Sequence, residues 1–186
     1  MKALTCSIIA VFVLGHILVH AQQKAAPAHK RTAKSVALPF SQAERDSILA
    51  FHNAVRREVG APPVVWSQEL ADFAQAWAEH LARTGCRLAH RPSSGPWAQK
   101  YGENCFGGSG GTWSLLDAGK SWYEEKALWN GGVITAQNWS VAGHYTQMVW
   151  SRTRRIGLGK ARCPNGGTII VANYDPPGNM IGESPY

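Results

Sequence analysis

The first of three apolar stretches with helical spacing follows Ser41. Its apolar positions recur every three or four residues, and the pattern stops at Gly60 and the Pro62–Pro63 pair. Such spacing predicts an amphipathic helix of about four turns, because residues three and four apart share one helix face. Ser41 and Glu44 have the spacing of a capping box, which places the start of this helix directly after Ser41.

The second stretch predicts a helix between Ser67, a good N-cap residue, and Gly85, a helix terminator. Its apolar stripe consists of Leu70, Ala74, Trp77, Ala78 and Leu81. Proline and glycine interrupt the chain between residues 87 and 101, so this segment is predicted to be irregular.

The third stretch follows the glycine-rich segment 107–111. Its apolar stripe consists of Leu115, Ala118, Trp122 and Trp129. Glu125 falls on this stripe, whereas Glu124 points about 100° away, toward solvent. A carboxylate on an apolar face is costly to bury unless it is paired or bound to something. The helical pattern alone therefore makes Glu125 a candidate site residue.

The pattern changes in the last third of the chain, where three short runs are rich in β-prone residues. They cover residues 144–150, 156–161 and 168–174. The turn sequence Pro164–Gly167 separates the last two runs, which predicts a β-hairpin. Helices followed by antiparallel strands indicate an α+β fold with helices packed on a sheet.

The amino terminus has the pattern of a cleaved signal peptide. A positive Met1–Lys2 start precedes a mostly apolar run, and Val19 and Ala21 are small residues at the positions that signal peptidase recognises. The alternative is a membrane anchor, but this run is at the short limit for a bilayer and His16 interrupts it. We predict a signal peptide over residues 1–21 and a secreted, extracellular protein without stable membrane insertion, or a periplasmic one in a Gram-negative host.

Most of the net charge of +7 lies in the segment after the predicted signal peptide. Residues 22–40 hold four Lys or Arg and no acid, whereas residues 41–186 hold 14 Lys or Arg and 12 Asp or Glu, a net charge of +2. The composition of residues 22–40 cannot form a core, which predicts a flexible basic tail. The nearly balanced domain over residues 41–186 argues against a nucleic-acid partner.

Signal cleavage removes one of the four cysteines and leaves Cys86, Cys105 and Cys163. Export favours one disulfide among these three, and the spacing alone does not select the pair. Cys105 is interpreted either as a thiol activated by a nearby histidine or as a buried residue that acts as a small hydrophobe, and we prefer the second. Asn138–Ser140 is an N-glycosylation sequon.

Two histidines of the exported chain are candidate metal ligands. His90 and His144 each lie in or beside irregular chain near a carboxylate, and two imidazoles with water form an incomplete shell that is typical of zinc. His52, on the inner face of the first helix, is predicted to be a hydrogen-bonded core residue. His80 is predicted to be a partly exposed structural residue, and His29 lies in the basic tail.

The segment Gly107–Gly111 matches the GxSxG pattern of serine hydrolases at Ser109. No apolar strand precedes Ser109 to build the nucleophile elbow of that motif, so we predict a flexible loop.

Four motifs in order resemble those of the CAP superfamily, which includes cysteine-rich secretory proteins, venom antigens and plant pathogenesis-related proteins. They are His52–Arg56, Gly102–Asn104, Gly143–Trp150 and Ala172–Asn179. These motifs span nearly the whole exported domain. The chain is most similar to the plant class-one pathogenesis-related type and its microbial relatives.

The resemblance implies an α-β-α sandwich with a central antiparallel sheet and a cleft lined by His90, Glu103, Glu125 and His144. In this interpretation His90 and His144 hold a divalent metal ion, zinc, and the two glutamates support the site. The motif residues with implied structural roles are His52, Asn53, Arg56, Asn104, Tyr174 and Asn179.

The resemblance also implies a disulfide between Cys86 and Cys163. A further disulfide of the family would need cysteines at Leu158 and Ala172, and both are absent together. Cys105 stands where relatives usually have an apolar residue, which agrees with a buried thiol.

Two functions follow from the resemblance. The first is a non-enzymatic secreted protein with a defence- or host-interaction-like role, which binds a divalent ion and also sterols, fatty acids or other lipids through aromatic residues of segment 129–139. The second is a metal-dependent hydrolase or protease, in which the ion activates water and a glutamate acts as base. No catalytic residue is assigned. The segment Pro176–Tyr186 also resembles a peptide released from some plant relatives, although we prefer to interpret it as the last part of the fold.

Overall fold

The computed structural model of the protein describes residues 36–37 and 40–186. The described helices are α1 (Gln42–Glu58), α2 (Gln68–Arg83), α3 (Leu115–Glu124), a short 3₁₀ helix (Glu125–Leu128) and α4 (Ala136–Met148). The described strands are β1 (Val36–Ala37), β2 (Val65–Trp66), β3 (Gly102–Gly108), β4 (Arg155–Arg162) and β5 (Thr168–Asp175). The predicted signal peptide and most of the predicted basic tail lie outside the described residues. Within the described ranges, no helix combines the length and the apolar character that a membrane span requires.

The strands form one sheet in the order β1-β4-β5-β3, and β2 pairs in parallel with the outer edge of β4. The predicted hairpin of β4 and β5 is confirmed, with antiparallel pairing from Arg155 with Asp175 to Arg162 with Thr168. The structure differs from the predicted flexible tail at Val36–Ala37, which pairs with β4 as β1.

Alternate residues of β5 face two separate cores. Ile169 and Val171 pack with the buried stripe of α2, whereas Ile170, Ala172 and Tyr174 pack with α1, α3 and α4. Side chains in a strand point to opposite faces in turn, so one apolar strand supplies both cores. The predicted α-β-α sandwich is confirmed.

The helix starts agree with the predicted caps, with one difference at α1. Ser41 Oγ accepts a hydrogen bond from the Glu44 backbone N–H at 3.1 Å, as a capping box requires. The Glu44 carboxylate instead accepts from the backbone N–H of Leu115 at 2.9 Å and from Lys160 Nζ at 2.8 Å. Only half of the box forms, because Glu44 joins α1 to the start of α3 and to β4.

The β-prone run over residues 144–150 does not form the predicted strand, because most of it belongs to α4. The residues around Tyr145 and Val149 have high β-propensity, but Tyr145, Met148 and Val149 are buried in the core beside α1 and α3. Packing therefore decides the conformation there. Strand β3 covers Glu103 and Asn104 and was not predicted, since glycine at three of its seven positions hides the strand pattern.

The structure contains the disulfide between Cys86 and Cys163, with a Cα–Cα distance of 5.7 Å. It joins the chain after α2 to the end of β4. Cys105 on β3 is a free, buried cysteine, as the preferred interpretation predicted.

Candidate functional site

One cleft of about 680 Å³ is lined by all four residues that the family resemblance selected, His90, Glu103, Glu125 and His144. They come from four parts of the chain: the irregular segment after α2, strand β3, the 3₁₀ helix and helix α4. The fold therefore brings together residues that are up to 54 positions apart in the sequence.

The first half of the site is the pair formed by His90 and Glu103. His90 Nδ1 lies 3.0 Å from Glu103 Oε1, and the Arg91 backbone N–H donates to the same oxygen at 3.0 Å. The Glu103 side chain is fully buried, whereas the His90 side chain is 46% exposed. The carboxylate is thus held inside the protein and orients an imidazole that faces the cleft.

Arg91 supports this pair from behind and was missed in the sequence analysis. Its Nε lies 3.7 Å from Glu103 Oε2, and its guanidinium lies 3.7 Å from the centre of the Phe73 ring. Arg91 also donates to the backbone carbonyls of Phe73 at 2.6 Å and Trp97 at 3.4 Å. Burial lowers the pKa of Arg91, and the neighbouring Glu103 acts in the opposite direction. Only its position next to His90 could have singled out Arg91.

The second half of the site is the pair formed by His144 and Glu125. Helix α4 is interrupted at Ala142, which has a non-helical φ of −133°. Just after this break, Glu125 Oε2 accepts hydrogen bonds from the backbone N–H groups of His144 and Tyr145, at 2.9 and 3.3 Å. A carboxylate is stabilised at such a helix start by the exposed N–H groups. Glu125 Oε1 lies 2.6 Å from His144 Nδ1.

The apolar stripe placed Glu125 on the third helix, but it is the first residue of the 3₁₀ helix and only partly buried. Glu124 is exposed, as predicted. The burial of the Glu125 carboxylate is offset by its hydrogen bonds to α4 beside the break in that helix. No local sequence pattern could reveal this contact.

Both imidazoles have the same tautomer when neutral. A carboxylate can only accept a hydrogen bond, so the proton of each ring lies on Nδ1. No described residue forms a hydrogen bond with Nε2 of His90 or His144, and both side chains line the cleft. The Nε2 lone pairs are therefore free to bind a ligand.

Three of the predicted structural residues form one hydrogen-bond chain behind the cleft. Asn104 Nδ2 donates to the backbone carbonyl of His144 at 3.0 Å and to the Tyr174 hydroxyl at 3.2 Å. That hydroxyl lies 3.0 Å from His52 Nε2, and His52 Nδ1 lies 3.0 Å from the carbonyl of Ile48. A neutral His52 fits this chain by donating from Nδ1 to Ile48 and accepting from the Tyr174 hydroxyl at Nε2, and burial lowers its pKa to about 4. His52 is the hydrogen-bonded core residue that was predicted.

Arg56 and Asn53 fasten the loops around α1. Arg56 is fully buried, and desolvation lowers its pKa to about 10. It donates to four carbonyls, those of Pro62 (2.6 Å), Met148 (2.9 Å), Trp150 (3.0 Å) and Thr153 (3.0 Å). Asn53 hydrogen-bonds both the N–H and the carbonyl of Val64, at 2.8 and 3.0 Å.

Asn179 connects the C-terminal segment to the break in α4. Its φ of +58° is a left-handed conformation that asparagine tolerates better than most residues. Its side chain accepts from Thr146 Oγ1 at 2.7 Å and donates to the Gly143 carbonyl at 2.8 Å. These bonds hold the residue before His144, so Asn179 positions that half of the site.

Two large apolar side chains lie exposed at the edge of the cleft. Trp139 and Ile181 line the cleft with 48% and 68% of their surface exposed. Within the segment 129–139 that was predicted to contact lipid, Trp129 points elsewhere and its Nε1 lies 3.1 Å from the Tyr186 hydroxyl.

Other candidates from the sequence lie outside the cleft or are already engaged. Strand β3 includes Gly107 and Gly108 of the segment that was predicted to be a flexible loop, and Ser109 follows it at a separate, smaller cavity. Asn138 completes the cap of α4 by accepting from the Thr135 N–H at 2.8 Å, and its amide donates to the Val133 carbonyl at 2.9 Å. The C-terminal segment is bonded into the fold, for example through the Ser151 N–H and the Pro185 carbonyl at 2.6 Å.

The fold and the paired cleft define one class of proteins, and comparison with known proteins identifies it. The family described as the cysteine-rich secretory protein family, CAP, matches residues 49–174, and the chain belongs to this family.

The chain is 46% identical to pathogenesis-related protein 1 of Arabidopsis thaliana, over 74% of this chain and 80% of that protein. It is 40% identical to pathogenesis-related protein 1A of Nicotiana tabacum, over 78% and 83%. Among solved structures, the crystal structure of NaASP2 with Zn²⁺ aligns with a TM-score of 0.68 and 26% identity, covering 78% of this chain and 86% of that one.

Proposed function

We propose that the protein is a secreted, non-enzymatic binding protein with a defence- or host-interaction-like role. In this proposal His90 and His144 bind a divalent metal ion through Nε2, and Glu103 and Glu125 orient the two rings. The names of the relatives, pathogenesis-related proteins of plants, support the defence role. The predicted signal peptide supports secretion.

The metal proposal is supported most by the pairing of each imidazole Nδ1 with a carboxylate oxygen, at 3.0 and 2.6 Å. Histidine ligands of zinc commonly donate their other N–H to a carboxylate, which fixes the ring and raises its basicity. Imidazole nitrogen suits zinc and similar ions, which complete their shells with water. The donor set thus fits zinc, and the relative NaASP2 was crystallised with Zn²⁺. A bound ion would supply a positive charge and open coordination positions for an anionic ligand group.

Binding is favoured over hydrolysis by the state of the two carboxylates. A general base must have an oxygen free to take a proton from water. Oε1 of Glu103 accepts from His90 and Arg91, and its Oε2 has no hydrogen-bond partner but is buried away from water in the cleft. Both oxygens of Glu125 already accept from α4. Each glutamate is committed to holding a ring rather than to proton transfer.

The apolar rim supports an amphipathic ligand as part of the same function. Trp139 and Ile181 are large exposed hydrophobic side chains at the edge of a polar cleft. An apolar rim around a few convergent polar groups is typical of a ligand site. We propose that a fatty acid or sterol places its apolar part on this rim and its polar group toward the metal site.

Calorimetric titration with Zn²⁺ tests this function, followed by oleate and cholesterol titrations of the zinc-loaded protein. All samples carry Cys105→Ala, so that the buried thiol beside His90 takes no part. We expect one Zn²⁺ per chain. His144→Ala should lower the zinc affinity by more than about 100-fold because it removes a ligand, and Glu125→Gln should lower it about 10- to 100-fold.

His80→Ala is the matched control for zinc, since His80 lies outside the cleft and stacks on Trp77. Trp139→Ser should weaken lipid binding about tenfold, and Trp129→Ser should leave it unchanged. Equal zinc affinity in the His144→Ala and His80→Ala proteins would contradict the metal proposal. Equal lipid binding by the two tryptophan variants would contradict the lipid proposal.

A further inference from the structure

Cys105 lies against the His90–Glu103 pair and gives it a third metal-ligating side chain. Cys105 Sγ is 3.9 Å from His90 Nδ1 and 3.7 Å from Glu103 Oε1, and the nitrogen and the oxygen are 3.0 Å apart. The three ligand atoms lie within 4.8 Å of one another. Among the residues that the structure describes, this is the one such trio.

The size of this triangle matches a metal coordination shell. With typical zinc bonds of about 2.3 Å to sulfur and 2.0 Å to nitrogen or oxygen, tetrahedral ligands lie about 3.5 Å apart for S and N and about 3.3 Å apart for N and O. The three observed distances fall within about 0.4 Å of these values. An ion could therefore take the centre of the triangle with small side-chain movements.

We propose that Cys105, His90 and Glu103 form a site for a thiophilic divalent cation of the zinc and cadmium type. The ion binds Sγ, Nδ1 and Glu103 Oε1, the thiol proton leaves to solvent, and the His90 proton moves from Nδ1 to Nε2. This site deepens the proposed metal function because it shares His90, but it uses the opposite ring nitrogen and does not need His144.

The surroundings define how an ion enters and what opposes it. The Cys105 and Glu103 side chains are buried, whereas the His90 side chain is 46% exposed, so entry is from the His90 side. Arg91, with Nε at 3.7 Å from Glu103 Oε2, partly offsets the negative charge of the site. Soft ions gain most from the thiolate and depend least on the carboxylate, which favours cadmium-like over magnesium-like ions.

Without a metal, Cys105 is an unreactive thiol. Burial, followed by the neighbouring Glu103, raises its pKa well above the ordinary value. The opposing interpretation is therefore a purely structural cysteine that fills the core between β3 and α2. The two interpretations differ in one observable, a bond between Sγ and an added metal.

The test is a titration of the metal-free full chain with CdCl₂, followed by the ultraviolet charge-transfer absorption of a cadmium–thiolate bond. Cys6→Ser is present in all samples, so that Cys105 is the one cysteine outside the disulfide. We expect the band to saturate at one Cd²⁺ per chain and to persist in His144→Ala with an affinity within about twofold of the parent. Cys105→Ala should abolish the band, and His90→Ala should lower the affinity at least about tenfold.

Absence of the band in the parent, with circular dichroism showing a folded chain, would overturn the thiolate site. A band that is equally strong in the His90→Ala protein would overturn the assignment of His90 as a ligand. These failures leave the cleft proposal intact, because zinc binding there is measured in the Cys105→Ala background. Conversely, a cadmium band together with a zinc affinity that His144→Ala does not change would support the thiolate site and reject the cleft site.

Discussion

Replacing Gly159 by alanine is expected to lower the free energy of unfolding by at least about 3 kcal/mol, at the upper end of overpacking effects. Gly159 lies on β4 directly under α2. A Cβ at this position would lie under 3.0 Å from backbone atoms of Ala74 and Gln75, including 2.7 Å from the carbonyl carbon of Ala74. Backbone atoms cannot change rotamer, so α2 as a whole would have to move away from the sheet.

Gly107→Ala is the matched control, because Gly107 also lies in a strand and its new Cβ would meet only the Leu88 side chain at 3.7–3.9 Å. Urea unfolding followed by tryptophan fluorescence measures both variants. We expect Gly107→Ala to change stability by less than about 1 kcal/mol. Equal stability of the two variants would contradict the close packing of α2 on β4.

Lowering the pH from 6.5 to about 4 is expected to remove about 3 kcal/mol of stability through His52 alone. Desolvation is the main cause that lowers the pKa of His52 from 6.5 to about 4 in the folded protein. Between these two pH values the unfolded chain binds a proton at His52 and the folded chain does not. Acid therefore favours unfolding, and the contribution is fully present only above pH 6.5.

The comparison that isolates this effect is His52→Gln, which cannot titrate in this range. Urea unfolding at a series of pH values from 4 to 7 gives the free energy of unfolding of each protein. The variant should be less stable at pH 7, and its disadvantage should shrink by about 3 kcal/mol toward pH 4. Parallel pH curves for the two proteins would show that His52 is not held neutral in the core.

The elements that the sequence predicted well are those whose signals are local. Helix α2 begins after Ser67 and buries its whole predicted stripe, because the cap and the helical period lie within the helix itself. The hairpin of β4 and β5 likewise depends on two adjacent runs and the turn between them. Strand β3 and helix α4 depend on distant partners, and a glycine-rich strand or a β-prone helix gives no clear local pattern.

The candidate site was predictable in its members but not in its geometry. The family resemblance supplied both histidines and both glutamates, two of which, His90 and Glu125, lie outside its four motifs, and the apolar stripe independently selected Glu125. Neither could supply the break at Ala142 that lets Glu125 hold His144, or the buried Arg91 behind Glu103. Both features arise where residues far apart in the chain meet.

The central claim is that two carboxylates hold the cleft imidazoles with Nε2 free. Long-range ¹H–¹⁵N correlation spectra of protein labelled at histidine nitrogen test it most directly. In the metal-free protein at neutral pH, His90 and His144 should both show the tautomer protonated on Nδ1. In the Cys105→Ala protein, Zn²⁺ should then shift the Nε2 signal of His144, whereas the signals of His52 and His80 stay in place. A metal-free spectrum with Nε2 protonated on either cleft histidine would contradict this account. So would a His144 Nε2 signal that does not shift on addition of Zn²⁺.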